Sequence, residues 1–402
     1  MKIRWILVLL YASLTCSAQS LDSLRLRTEV YHSSQWEFGS NGIYTKSLFS
    51  YLSTQQLDKR LKEDLISRLQ AENVLGNIQD VEFGFRQERD SIHGRWKRGF
   101  GLHLAHRSRW AMNASDRAYE LVFFGNARFA GQYIDLMPLD LKALQWSEVG
   151  YSFWQETNDL SWSVSTNLLF GHAMQELEVE RGSIFTEESG EFIDVQTQYR
   201  FRSADSLLLF KGMGASVHLE SSYDPDGPWR FRLGVRDLGL IGFGRSSWEV
   251  RADSSFRFEG EEIPNLFDET TNLLNSARDR LEATFYDAKG GTQWVLLPAR
   301  LRAEMGYGLS HPFLKEVQWL GDHLFLPGYR FRNRVRLKMK MSRQWTLRPE
   351  LSHGGLARFG FGIGAQWKNS SWRCALELNN AQWMVAPASF GLGGQFSIRY
   401  LL

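Results

Sequence analysis

The sequence predicts an all-β fold, a transmembrane antiparallel β-barrel of about 14–16 strands, and three observations lead to it. Apolar and polar residues alternate along many short segments, a leader-like segment opens the chain, and the chain stops inside an alternating segment. A tilted strand of about 9–11 residues crosses a bilayer. Segments of this length and pattern are typical of outer-membrane barrels, where one face contacts lipid and the other lines the lumen.

The clearest alternation is a ladder of basic residues near the end of the chain. One parity holds only cations: Arg330, Arg332, Arg334, Arg336, Lys338 and Lys340. The other parity holds Phe331, Val335, Leu337, Met339 and Met341. Because successive side chains of a strand point to opposite faces, this strand would have one cationic and one apolar face. In a barrel the cationic face would line the lumen.

Neighbouring segments repeat the pattern and extend the predicted lumen ladder. Residues 229–236, 248–258, 300–309 and 357–367 alternate in the same way. The third of these contributes Arg300, Arg302 and Glu304 to the polar parity, and Glu350 lies in a further strand. Two interpretations of the ladder remain open. It either attracts anions into an open pore or pairs with nearby carboxylates and fills the barrel, and we favour the filled network.

The termini support export and closure. Residues 1–18 have a basic start, a short apolar run and a small residue at Ala18, which is typical of a cleavable signal peptide. Residues 19–80 are expected to form an N-terminal segment, a possible plug, with an amphipathic helix over 55–70. The barrel is expected to occupy 81–402, and its last strand would pair with its first. The expected location is the bacterial outer membrane.

A long insertion interrupts the barrel at residues 259–298, where apolar residues at helical spacing predict a second helix. Counting strands back from a periplasmic C-terminus places this insertion in the periplasm. We therefore expect a periplasmic protein partner to dock there, besides the outer-membrane lipid around the barrel. The strand number before residue 81 decides between 14 and 16 strands, since bacterial barrels have an even number.

Composition excludes several other classes of protein. No run of about 18 apolar residues follows the leader, so no transmembrane helix is expected. The net charge of +2 argues against nucleic-acid binding. Of the two cysteines, Cys16 would leave with the signal peptide. Cys374 then has no partner for an intrachain disulfide.

Three short pieces of sequence carry a resemblance to a known group. The Ala-Gln context at 18–19, Val235–Ile241, and Leu297–Arg302 followed by Gly306–Leu309 resemble outer-membrane barrels of unknown function from Bacteroidota. That group is broadly similar to fatty-acid-transporter-type barrels and to barrel subunits of the type IX secretion machinery. The resemblance implies a barrel in the outer membrane and implies no particular chemistry.

Catalytic and ligand-binding motifs are sparse, so we expect no enzyme, no cofactor and no metal site. One pair is a candidate for catalysis: His106 and Ser108 share a strand face and resemble the His-x-Ser pattern of outer-membrane lipid A deacylases. No orienting carboxylate lies nearby in sequence, and interfacial polar residues are the preferred interpretation.

Two functions from different classes remain. The favoured one is a structural or adaptor barrel in a secretion or motility assembly, because a charged and filled lumen would not conduct. The alternative is a passive transporter or channel for small hydrophobic or anionic solutes, with residues 19–80 as a plug. A lipid-modifying barrel enzyme is a minor alternative.

Overall fold

Antiparallel pairing of the first strand with the last closes the sheet into a barrel. The computed structural model describes residues 26–45, 47, 59–90, 96–204, 210–244, 247–259, 289–384 and 389–402. In this part of the chain, 14 strands form the closed wall. The first strand, Leu26–Ser40, pairs with the last, Gly391–Leu401, from Glu29 opposite Leu401 to Gly39 opposite Gly391. The predicted transmembrane antiparallel barrel is confirmed.

The wall strands, numbered among all strands in chain order, are β1 (Leu26–Ser40), β2 (Glu72–Asp90), β3 (Trp96–Ser115), β5 (Leu139–Thr157), β6 (Leu160–Thr186), β8 (Gly212–Tyr223), β9 (Trp229–Phe243), β13 (Arg300–Gly308), β14 (Leu314–Leu324), β15 (Arg330–Lys340), β16 (Trp345–Gly355), β17 (Phe359–Lys368), β18 (Trp372–Asn379) and β19 (Gly391–Leu401). The remaining strands are β4 (Gln132–Asp135), β7 (Ile193–Ala204), β10 (Ser247–Phe258), β11 (Lys289–Gly290) and β12 (Gln293–Leu296). The described helices are α1 (Lys59–Ile66), α2 (Asp116–Phe124) and two short 3-10 turns at Asn126–Phe129 and Ala381–Met384. None of these helices has the length and apolar character needed to cross a membrane.

Residues 26–40 and 72–80 of the N-terminal segment belong to the wall, which corrects their assignment to a possible plug. Strand β1 pairs with β2 along its whole length, so the barrel begins at Leu26 rather than at residue 81. The sequence concealed this strand because its outward face mixes the apolar Val30 and Trp36 with His32 and Ser34. The predicted helix over 55–70 is present at Lys59–Ile66. The predicted signal peptide, residues 1–18, lies outside the described residues.

The two ends of the barrel differ. The termini end holds Leu26 and Leu401 together with short turns such as 158–159 and 341–344. The opposite loop end holds α1, α2 and the described parts of the longer connections, among them those of 172–211 and 244–299. Short periplasmic turns and long outer loops are the rule in such barrels, so the termini end faces the periplasm.

This orientation contradicts the expected periplasmic position of the insertion 259–298. Its described flanks, Phe258 and Lys289, lie beyond the loop end of the wall, opposite to the chain termini. The strand count from the C-terminus did not include β14, so it was one strand short when it reached the insertion. The outward face of β14 carries Gly321 and His323, and its inward face carries Leu320, so its alternation is weak. The predicted helix of the insertion falls within residues 260–288, outside the described part.

A smaller sheet extends the wall beyond the loop end. Strand β6 is 27 residues long. From Met174 onwards it pairs with β7 instead of β8, and beyond Glu178, where its pairing with β5 ends, it pairs with β4. Strand β10 pairs with β7, and β11 pairs with β10. The alternating segment 248–258 therefore lies in this extension and not in the barrel wall, although its periodicity matches that of the barrel strands.

An apolar belt surrounds the wall strands. Leu233 is 65% exposed and Phe361 is 40% exposed, and both point away from the lumen. At the termini end, aromatic side chains ring the belt: Trp229 packs on Tyr307 with ring centroids 4.8 Å apart, and Trp372 on Tyr400 at 4.4 Å. An outward apolar band with an aromatic girdle matches the lipid-facing surface of outer-membrane barrels.

A charge on the belt should prevent assembly. We expect Leu233→Arg to abolish formation of the folded barrel, because a cation facing lipid costs about 2–4 kcal/mol near the bilayer midplane. Gly234→Ser on the lumen face is the matched control, since a Cβ there meets ordinary contacts no closer than 3.7 Å. Heat-modifiable migration on gels measures folding. Equal damage from both substitutions would contradict the inside-outside assignment.

Candidate functional site: the charged lumen

The structure divides the ten predicted ladder residues among different surroundings. Arg332 and Arg334 are buried inside the barrel, and Arg336 and Lys338 are half-buried there. At the loop end Arg330 is exposed and donates to Gln70 Oε1 at 3.2 Å, and Lys340 is exposed at the termini end. The other four predicted residues, Arg300, Arg302, Glu304 and Glu350, lie on the lumen side of β13 and β16.

Asp322 is the centre of the first ion-pair cluster. It is completely buried and accepts from Arg332 Nε at 3.0 Å, from Arg334 Nη2 at 2.9 Å and from the hydroxyl of Tyr329 at 2.9 Å. Arg332 also donates to Glu37 Oε2 on β1 at 2.7 Å. This cluster joins β1, β14 and β15 across the lumen, so the pairing ties the first wall strand to the other side of the barrel.

A second cluster surrounds two arginines of β3. Arg107 Nη2 contacts Glu148 Oε1 at 2.6 Å and Glu82 Oε2 at 3.2 Å. Arg109 Nη1 contacts Asp237 Oδ2 at 2.7 Å, and its Nη2 contacts Asp80 Oδ1 at 3.2 Å. Sequence analysis missed this cluster. The signal in the sequence was the alternation of Arg107 and Arg109 with Ser108 and Trp110, which places both arginines on the face opposite to His106 and Ser108.

A β-bulge places Asp237 in this cluster. Val217 pairs with Leu238 and Leu219 with Val235, so β9 holds an extra residue opposite His218. Asp237 has a positive φ of 58°, an uncommon conformation for a residue other than glycine. The bulge turns both Arg236 and Asp237 towards the lumen and switches the lipid-facing parity from Val235 to Leu238. The segment 235–241, which carries the family resemblance, thus forms a bulge that places the carboxylate of Asp237 inside the barrel.

Two histidines join Glu148 beside Arg107: His103, Glu148 and His218 offer ligand atoms within 4.8 Å of one another. Glu148 Oε1 is already paired with Arg107, and His218 Nε2 lies 3.2 Å from Asp237 Oδ1. A guanidinium in direct contact with Glu148 would repel a metal ion. The donor set therefore fits an ion-pair network better than a metal site.

The pair His106 and Ser108 is not brought together as a catalytic pair. His106 Nδ1 lies 3.1 Å from the hydroxyl of Ser147, and its Nε2 lies 3.0 Å from Gln145 Nε2. Ser147 also contacts His172 Nε2 at 2.8 Å. These side chains form a polar group on the outer face of the wall, separate from the lumen.

A lumen cavity of about 690 Å³ lies between the ion-pair clusters and the termini end. Its described lining contains thirteen arginine or lysine side chains and seven carboxylates. A second space of about 550 Å³ at the termini end shares Arg86 and Arg399 with it, so the cavity continues towards the periplasmic mouth. Carboxylates behind this lining pair with four of its arginines. The lining still holds more cations than these carboxylates neutralise, and such an excess attracts anions.

Apolar side chains fill the lumen towards the loop end. Leu324, Leu326 and Tyr329 pack with Val74, Ile78, Ala111 and Leu356 on one side. Trp146, Leu169, Ile241 and Phe243 pack with Val295 and Leu297 on the other. Above them, Leu65 of α1 packs with Ala118 and Tyr119 of α2. The described part of the barrel is thus closed towards the loop end.

The sequence profile of one protein family, described as a family of unknown function (DUF5723), matches residues 30–352. No curated protein matches the chain at a significant level.

Several solved β-barrel structures are similar to this chain in structure. A Pseudomonas aeruginosa FadL homologue is 8% identical, with 95% of this chain and 90% of that chain covered and a TM-score of 0.42. The toluene transporter TbuX from Ralstonia pickettii is 9% identical, with 93% and 88% covered and a TM-score of 0.38. The translocator domain of the autotransporter NalP from Neisseria meningitidis is 6% identical, with 99% and 95% covered and a TM-score of 0.30. These similarities carry no information on function.

The closed wall, the apolar belt and the aromatic girdle identify the protein as a β-barrel of the bacterial outer membrane. The predicted location is confirmed.

Removal of the buried charge at Asp322 should destabilise the barrel. We expect Asp322→Asn to lower the unfolding free energy by about 3–5 kcal/mol, because two buried arginines lose a charged partner. The matched control is Asp224→Asn, whose pair with Arg230 is exposed on both sides and contributes about 0–1 kcal/mol. Urea unfolding in detergent, followed by tryptophan fluorescence, measures the difference. Similar midpoints for the two variants would contradict the importance of the cluster.

Proposed function

Because the chain belongs to a family of unknown function, DUF5723, we propose its function from the lumen: a passive transporter of small anionic solutes across the outer membrane. The observation that carries this proposal is the lumen cavity, whose lining holds thirteen cationic side chains against seven carboxylates. A water-accessible space of this charge concentrates anions and excludes cations.

The lining of the cavity favours anionic over hydrophobic solutes. Few apolar side chains line it, Leu320 among them, whereas arginines, carboxylates, serines and glutamines make up most of the surface. A hydrophobic solute would have to displace water from these charged groups without replacing their hydrogen bonds, which is unfavourable. An anion would instead gain charge-assisted hydrogen bonds from the guanidinium groups.

The described conformation is open towards the periplasm and closed at the loop end. In the closure, Leu326 and Tyr329 of the loop 325–329 pack on side chains of the wall, among them Val74, Ile78 and Ala111. Gly328 has a φ of 66° and approaches Val74, so this loop turns sharply inside the barrel. Passage of a solute therefore requires this loop to move.

The structural or adaptor role has less support. It rested on a filled lumen and on a periplasmic partner at 259–298. The cavity argues against a wholly filled lumen, and the flanks of the insertion lie at the loop end. A role in secretion or motility and an origin in Bacteroidota stay predictions from the resemblance at 235–241, 297–302 and 306–309. Contact with outer-membrane lipid is a prediction from the apolar belt.

Loosening of the closure should reveal anion-selective conductance. Leu326→Asn introduces an amide into the apolar closure without changing any charge. In planar bilayers under a KCl gradient, we expect this variant to conduct more than the wild type, with a reversal potential near that of chloride. Val122→Asn, at an exposed position of α2, is the control and should behave as the wild type. Cation-selective current, or no current from Leu326→Asn in folded protein, would contradict the proposal.

A further inference from the structure

Three arginines of the lumen cavity keep side-chain N–H groups without a partner, although one of them, Arg334, also pairs with Asp322. Arg300 is 5% exposed, and its Nε and Nη2 atoms have no hydrogen-bond partner in the described part of the chain. Arg334 is 8% exposed, and its Nε is equally unpartnered. The Nε of Arg302 is also without a partner. Buried donors left unsatisfied cost about 1–3 kcal/mol each, more when they are charged.

The nearest carboxylates are already engaged by other arginines. Asp80 lies 4.0 Å from Arg300 Nη1, but both of its oxygens accept from Arg109, at 3.2 and 3.3 Å. Asp322 is directly opposite Arg302 in the strand register, yet Arg332 and Arg334 bind it. Within the described residues no carboxylate lies within 4 Å of Arg302. The described part of the protein therefore leaves several N–H groups of these arginines without an acceptor.

The three residues lie on nearby strands and line the same cavity. Arg300 and Arg302 are two residues apart on the lumen face of β13, and Arg334 lies on β15. Strand β14 separates the two strands, so the backbones are about 10 Å apart. All three side chains line the same cavity, and Arg236, opposite Arg300 on β9, lines it too.

From this arrangement we infer that Arg300, Arg302 and Arg334 form a binding site for a phosphoryl group on a small polar solute. Guanidinium groups bind phosphate oxygens in a bidentate manner, and three of them match a dianion better than a monocarboxylate. The inference rests on the proposed function, because it names the class of anion that the transporter would take.

The rest of the cavity fits a hydroxylated body on the phosphoryl group. A cavity of about 690 Å³ is much larger than one phosphate ion. Ser33, Gln35, Ser222, Gln318, Gln395 and Ser397 line it and offer hydroxyl and amide groups. A phosphorylated sugar or polyol would use both sets of groups, whereas inorganic phosphate would use only the arginines.

Thermal unfolding of the full chain in detergent tests the site with defined probes. Inorganic phosphate, glucose 6-phosphate, glucose and chloride are compared at equal ionic strength. Glucose 6-phosphate should raise the unfolding midpoint most, inorganic phosphate should raise it less, and glucose should leave it at the chloride value. If phosphate alone acts and the sugar adds nothing, the site takes phosphate and the inference about a hydroxylated body is wrong. If neither phosphate compound acts beyond chloride, the site itself is wrong.

The variant Arg302→Met gives the sharpest separation between a binding site and a structural one. Because Arg302 has no ion pair to lose, the variant should keep or raise the midpoint without ligand. It should weaken glucose 6-phosphate binding at least tenfold. Arg251→Met, outside the barrel on β10, removes one positive charge as well and should leave binding unchanged. A fall of the midpoint without ligand, with binding retained, would overturn the assignment and make Arg302 a structural residue.

Conductance distinguishes failure of this site from failure of the proposed transport. If Leu326→Asn conducts chloride but phosphate compounds do not bind, the proposed transport is supported and the proposed phosphoryl site is wrong. If phosphate compounds bind, Arg302→Met abolishes that binding and no anion crosses the bilayer, the phosphoryl site is supported and the proposed transport is wrong.

Discussion

The pairing of inward-facing arginines with a small number of buried carboxylates is the constraint on which the rest of the structure depends. The wall must present apolar residues to lipid, so its polar residues turn inwards and crowd the lumen. Each buried charge costs several kcal/mol unless partners surround it. Asp322 and Asp237 supply that compensation, the first for Arg332 and Arg334 and the second for Arg109. Strand closure through β1 depends on the same chemistry, since Glu37 pairs with Arg332.

The sequence predicted the parts of the fold that follow strict alternation. Strand β15 and strand β13 lie where their periodicity placed them, with their basic faces inside. The strands that it missed, β1 and β14, carry polar or small residues on the lipid face, where a few neighbouring aromatic side chains suffice to cover them. Phe331 and Trp319, for example, cover Gly321. A bulge such as that at Asp237 shifts the periodicity by one residue, and pattern analysis has no means to detect which residue is extra. The insertion 259–298 was assigned to the wrong side of the membrane because β14 was missing from the strand count.

The candidate site was predictable as a group of residue types but not as a geometry. Alternation identified Arg300, Arg302 and Arg334 as lumen residues. It could not show that Asp322 would be shared among several arginines, because that depends on the register between β13, β14 and β15. Where carboxylates are exhausted, the arginines keep unpartnered donors and the lumen widens into a cavity. Stability and solute binding therefore both follow from the distribution of carboxylates: ion pairs hold the wall together, and the arginine N–H groups without partners remain available to an anion.

The electrostatic character of the cavity can be measured directly through the reactivity of a cysteine placed within it. Ser397 lines the cavity on β19, and Ser397→Cys in a Cys374→Ser background provides one thiol in the described part of the chain. Its rates of modification by a negatively and a positively charged methanethiosulfonate of similar size report the local potential. An excess of cations predicts that the anionic reagent reacts more than tenfold faster at low ionic strength, and that the ratio falls as salt screens the charges. Equal rates, or faster reaction of the cationic reagent, would contradict an anion-attracting lumen.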